Sequence, residues 1–152
     1  MDKNEILGWL DTASPEQMHC VICTWMWGDA NFEIPMKIVT REDCDASTAL
    51  EAFFAFEGPA TAEESAKYLR EEIDFMLVIA NRLKGGFYKT WDFSLGDHHA
   101  PQLEHSPYDR PISVVFGPGS YWNLPEWCFK PPANFREIDC FGYCEGDPDG
   151  MF

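Results

Sequence analysis

Two short clusters hold most of the side chains that could do chemistry. "HCVIC" sets His19, Cys20 and Cys23 within about one helical turn, and "CFGYC" sets Cys140 and Cys144 near the other end of the chain. Imidazole and thiolate are the usual ligands of a four-coordinate zinc, so the two clusters could in principle share one. On the apolar face of a helix, however, neighbouring thiols are ordinary small core residues, and that packing reading outweighs the metal one. A third cluster, "GDHHAPQLEH", supplies Asp97, His98, His99, Glu104 and His105, types that ligate metals or act as general bases. Its spacing matches no zinc signature, and a solvated loop accounts for it. A nucleophilic cysteine paired with one of these histidines lacks any supporting context. "GPGSYW" has neither the lysine nor the helix start of a phosphate-cradling loop. With so many acids, close carboxylate pairs arise by chance and carry no hydrolase signal. The expectation is therefore no catalytic residue, no metal and no cofactor: a protein that binds.

The charge balance says what it would bind. In 152 residues, 26 Asp and Glu stand against 11 Lys and Arg, a formal charge of −15. Such a field repels nucleic acid and anionic membrane surfaces and attracts a cationic protein. The same charge could merely keep an aromatic-rich chain soluble. An apolar fraction of 45% with 15% aromatics rules out disorder as the cause of the acidity. The length fits one domain over residues 1–152. No window is apolar enough to span a membrane and no basic, then apolar, leader is present, so a cytoplasmic location with reduced thiols is expected.

Helices must position these groups, and the chain reads as mainly α: a compact helical core over 1–86, then a small β-hairpin and an irregular aromatic, proline-rich wrap over 87–152. Ser14, Pro15 and Gln17 form a capping box that starts a helix from about Pro15 to Trp27. Pro35 suits the start of a short helix, and Asp45 caps another over Ala46–Phe56, which Gly58 and Pro59 stop. Between them, Trp27, Phe32, Ile34 and Pro35 read as a hinge, with Asp29 and Glu33 near a positive helix end. Thr61 and Glu64 open a second box, and Ala66, Leu69, Ile73, Met76, Ala80 and Leu83 follow at helical spacing as far as Gly85. "FYKTWDF" and "PISVVFG" are strand candidates for the hairpin, and "GPGSYWNLPEWCFKPPANF" is expected to wrap the core.

His19, Trp27, Asp29, Phe32, Glu33 and Pro35, then Cys44, Asp45, Thr48, Ala49 and Leu50, resemble the signature of a bacterial domain family of uncharacterised function. That signature is a helical His, then Trp-Asp-Asp-Gly-Phe-Glu-x-Pro, then Cys-Asp-x-Gly-Thr-Ala-Leu. The chain departs from it by an extra residue between Trp27 and Phe32, by Asn31 where Gly is usual, and by Ser47 where Gly is usual. The likeness covers about residues 14 to 60 and is compatible with the following helix. Members are similar to immunity proteins that accompany delivered toxins. The resemblance thus implies an antidote that binds a toxin and supplies no catalytic residues.

The combined expectation is an acidic immunity or inhibitor protein that covers the cationic cleft of a toxin domain, perhaps a nuclease. Its expected anchors are Trp122 and Trp127, and its expected charges are Asp97, Glu104, Asp109, Glu145, Asp147 and Asp149; past Arg136 the chain has no Lys or Arg. The alternatives are a zinc- or thiol-dependent enzyme using His98, His99 and the cysteines, and an inhibitor that mimics nucleic acid.

Overall fold

The computed structural model of the chain describes residues 2–25, 32–56, 58–95, 110–138 and 140. Seven α-helices occur among them: α1 (Lys3–Leu10), α2 (Pro15–Thr24), α3 (Glu33–Val39), α4 (Ala46–Ala55), α5 (Ala62–Ser65), α6 (Arg70–Lys84) and α7 (Ile112–Phe116). A 3-10 turn follows at Glu126–Phe129.

The helix starts follow from local chemistry. Asp2 and Glu5 close a capping box on α1, with both bonds 2.9 Å long. Ser14 and Gln17 do the same on α2, at 2.9 and 3.1 Å, and Pro15 occupies the first turn, where its missing N–H has no partner to lose. α2 ends at Thr24 and not at the expected Trp27, which lies outside the described residues. In α3 the proline sits at the third position, so the helix begins two residues before the expected start. Asp45 caps α4 as expected, and that helix ends one residue early, at Ala55.

Two expectations are corrected. The helix expected to run from Thr61 to Gly85 is broken after Ser65 and restarts at Arg70, with Leu69 extended at ψ 153°. Ala66 and Leu69, counted as part of its apolar stripe, are exposed; Leu69 is 63% accessible. With no surface to pack against, that turn gains little from remaining helical, and a new N-terminus forms where Glu72 accepts the Leu69 N–H at 3.1 Å. The hairpin is also not seen among the described residues. "PISVVFG" holds α7, which turns Ile112, Val115 and Phe116 inward, while "FYKTWDF" joins no strand ladder among the described residues and forms a bridge only at its end. There, Phe93 forms an isolated parallel bridge with Arg136.

α4 is the central element. Every residue from Ala46 to Phe54 is buried, and α2, α3 and α6 all pack on it while α1 packs on α3. Phe32 meets Phe56 edge-on and Phe75 at a tilt, both at 5.0 Å, joining the start of α3 to the end of α4 and the first half of α6. The Tyr88 hydroxyl donates to the Val39 carbonyl at 2.8 Å, tying the strand-like segment after α6 to α3. The C-terminal wrap packs on α4 through Phe53 and Phe54. There Phe53 meets Phe116 at 5.2 Å and Trp122 at 5.6 Å, and the Trp122 indole N–H donates to the Pro59 carbonyl at 2.6 Å. Gly117 lets the chain leave α7 this tightly, since a Cβ on it would lie 2.0 Å from the Ser113 carbonyl oxygen. No described helix is long and apolar enough to cross a membrane.

Candidate functional site

Three of the signature residues, His19, Asp45 and Thr48, take part in one buried polar knot. Asp45, 1% exposed, uses one carboxylate oxygen to cap α4 through the Ser47 N–H at 3.1 Å and the Ser47 hydroxyl, and the same oxygen takes the Phe93 N–H at 3.4 Å. Its other oxygen accepts the Thr90 hydroxyl and the Asp92 N–H, both at 2.8 Å. The Ala46 N–H donates to the Thr90 carbonyl at 2.8 Å, so the start of α4 and the segment 90–93 are mutually fixed. A capping carboxylate has four lone-pair positions to offer, and here the fold occupies both oxygens.

His19 is one helix away. It is 3% exposed, its Nδ1 lies 2.9 Å from the Thr48 hydroxyl, its ring bonds the Ser94 backbone, and Phe93 stacks at 5.2 Å. The neutral tautomer that accepts from Thr48 and donates to the Ser94 carbonyl satisfies both ring nitrogens. Burial pushes the imidazole pKa down, with the nearby Cys140, Glu51 and Asp45 opposing it only in part. As placed, neither His19 nor Asp45 aims an atom at a substrate; together they lock α2, α4 and residues 90–94 to one another.

The sign of the His19 effect on stability follows directly. Above the ordinary value of 6.5 the ring is neutral in both states. Below it the unfolded chain takes up the proton first, so folded stability falls with pH. Chemical denaturation at pH 7.5 and 5.5 should show the native chain losing more stability than His19→Gln on acidification. Parallel losses in the two proteins would contradict the neutral buried imidazole.

Beside this knot opens a cleft of about 260 Å³, lined by Glu16, Glu42, Asp43, Asp92, Lys89 and Arg136 among others. Arg136 donates to Glu16 at 2.8 Å and lies over the Phe93 ring at 5.3 Å; this hydrogen bond from Arg136 is the main cause holding the Glu16 carboxyl below its usual range. Arg41 grips Asp43 through two bonds of 2.9 and 2.6 Å and also donates to the Leu10 and Ala13 carbonyls at 2.7 Å. Glu42 and Asp92 are exposed. The cleft is thus acidic overall, with its two cations at least partly engaged by the protein itself: Arg136 by Glu16, and Lys89 by the Gly86 carbonyl at 2.8 Å.

Cys23, on the last turn of α2, is exposed and Cys140 partly so; the neighbouring Cys140 thiol, and then burial, push the Cys23 thiol above its usual range. Cys20, Cys44 and Cys128 are buried, and burial pushes the Cys128 thiol up to about 12. With the His19 ring turned toward Thr48 and Ser94, no group of three or more metal-ligating side chains assembles among the described residues. Cys144 lies outside them.

Of the residues expected to contact a partner, Asp97, Glu104, Asp109, Glu145, Asp147 and Asp149 lie outside the described residues, as do His98, His99 and His105. Trp122 is corrected: it is 2% exposed and belongs to the core, its one polar atom bonded to Pro59. Trp127 is presented, 38% exposed, with its edge against Trp91 at 6.2 Å. Four exposed apolar side chains were missed: Val114 at 54%, Tyr121 at 48%, Phe135 at 40% and Leu77 at 39%. Val114 and Tyr121 flank a shallow groove of about 310 Å³ that Arg110 also lines. The outward position of Val114 was readable from the spacing of Ile112, Val115 and Phe116, once that run is taken as helical.

No curated protein and no solved structure matches the chain. Residues 13–83 match the model of a domain of unknown function, DUF4274, a span that takes in the His19 helix, the Asp45 cap and α6, and leaves out the aromatic wrap.

Proposed function

We propose that the protein is an acidic immunity or inhibitor protein that binds and neutralises a basic toxin effector domain, acting by occlusion and not by turnover. The observation that carries this reading is the charge of −15 on a well-packed helical scaffold that also presents Trp127, Tyr121 and Val114 to solvent. The field would speed encounter with a cationic cleft, and a few desolvated aromatic anchors would hold the complex. The likeness of the His19 to Leu50 signature to immunity-type proteins points the same way. Trp127 takes the anchoring role expected of the tryptophan pair, and the acids Asp97, Glu104, Asp109, Glu145, Asp147 and Asp149 supply the steering charge.

The test is calorimetric titration of the purified chain against the basic catalytic domain of a toxin encoded beside its gene, at several salt concentrations. Binding that silences the toxin, and an affinity that falls as salt rises, are the expected outcome. Trp127→Ala should weaken binding by about 30-fold, the scale of an interface hot spot. Salt-independent binding, or none at low salt, would refute the proposal.

A further inference from the structure

We propose that residues 131–137 form a releasable strap along one wall of the acidic cleft, latched through Arg136 alone, which lifts away while the Asp45 knot beside it stays closed. The inference does not depend on the identity of any partner.

The strap leaves the core at a fixed point. Cys128 is fully buried in the 3-10 turn, and the Lys130 N–H closes that turn on the Trp127 carbonyl at 3.1 Å. Pro131 and Pro132 follow, stiff and without N–H groups to pair. Residues 133–137 are then all exposed. Among the described residues, every hydrogen bond and ion pair that ties residues 131–137 to the rest of the protein runs through Arg136. Its N–H donates to the Asp92 carbonyl at 2.6 Å, and its carbonyl accepts the Ser94 N–H at 2.8 Å. Its guanidinium pairs with Glu16 at 2.8 Å and lies 5.3 Å from the centre of the Phe93 ring.

Segment 92–94 is thus held by two sets of bonds of unequal strength. The Asp92 and Phe93 N–H groups go to the Asp45 carboxylate, at 2.8 and 3.4 Å, on a residue only 1% exposed. The latch is wet by comparison: the Arg136 side chain is 61% exposed and that of Glu16 26%. Ion pairs and cation–π contacts at such exposure contribute little and are screened by salt. Two backbone bonds at the surface do not by themselves offset the conformational freedom that seven residues regain on release. Opening is therefore a local event, far below global unfolding. It frees the Glu16 carboxylate and uncovers the Phe93 ring in the cleft that Glu42 and Asp92 also line. The strap thereby sets how acidic and how open that cleft is.

The experiment is amide hydrogen exchange on the whole native chain, resolved residue by residue by nuclear magnetic resonance. After correction for intrinsic rates, the Ser94 and Arg136 amides should exchange together, at least about 100-fold faster than Phe53 in α4. The Asp92 and Phe93 amides, bonded to Asp45, should stay slow. Arg136→Ala removes the ion pair and the ring contact and should speed Ser94 exchange about 10-fold without changing Asp92, Phe93 or Phe53. Added sodium chloride should speed Ser94 exchange in the native chain and leave that of Arg136→Ala unchanged. Ser94 as slow as Phe53, Asp92 and Phe93 accelerating together with Ser94, or an alanine variant with native Ser94 exchange would each overturn the proposal.

Discussion

Asp45→Ala should lower the unfolding free energy by about 3–4 kcal/mol and the melting temperature by roughly 10 °C. The loss is the sum of two separate roles. As the cap of α4, Asp45 satisfies the Ser47 N–H, a task worth about 1 kcal/mol in a helix of this kind. As the anchor of residues 90–93, it receives the Thr90 hydroxyl and the N–H groups of Asp92 and Phe93, and those backbone donors have no other acceptor once the carboxylate is gone. Asp45→Asn separates the roles. Its one oxygen can keep the cap and the Phe93 bond, and its amide can then donate to a reoriented Thr90 hydroxyl, but it must oppose the Asp92 N–H. About half of the stability should return. Urea unfolding of the three proteins decides the matter. If the alanine variant lost under 1 kcal/mol, the knot would be peripheral, and the account of what holds residues 90–94 would fail.

Half of that knot is legible in the sequence and half is not. "DASTAL" announces a capped helix because capping is local: an aspartate just before an apolar run needs only its own next residues to be understood. The second half joins Asp45 to Thr90, Asp92 and Phe93, and His19 to Thr48, through side chains brought together only by the packing of α2 on α4. No periodicity encodes such a pairing. "PISVVFG" failed for the opposite reason: β-branched residues favour a strand, yet Ile112, Val115 and Phe116 are spaced for a helix, and burial against Phe53 and Phe54 decides in favour of the spacing. Trp122 and Trp127 look alike in an aromatic, proline-rich run. The carbonyl of Pro59 and the ring of Phe53 draw one of them inward and leave the other at the surface.

Phe53→Ala should cost about 3–5 kcal/mol, the range for removing an aromatic ring from a closed core. Phe53 is 1% exposed and meets Phe54, Phe116 and Trp122 edge-on, at 5.6, 5.2 and 5.6 Å. Each of those T-shaped contacts adds a fraction of a kcal/mol or somewhat more beyond the area buried. Three rings cannot collapse into the space left, because Phe116 is fixed through the Leu124 N–H bond to its carbonyl at 2.9 Å and Trp122 through Pro59. Phe53→Leu fills most of that space and should recover more than half of the loss. The way the alanine variant melts tests a larger point. Residues 112–128 lie beyond the span that matches the domain family, yet they share one aromatic cluster with α4 inside it. If the wrap and the helical core are one cooperative unit, the fluorescence of a Phe53→Ala chain that keeps Trp122 as its sole tryptophan, and far-ultraviolet dichroism, reporting on the helices, should shift together to the same lower midpoint. An early fluorescence transition at low denaturant, with the helical signal intact, would instead make the wrap a separately docked arm. In that case Tyr121 and Trp127 would be presented to a partner by a segment able to move independently of the scaffold.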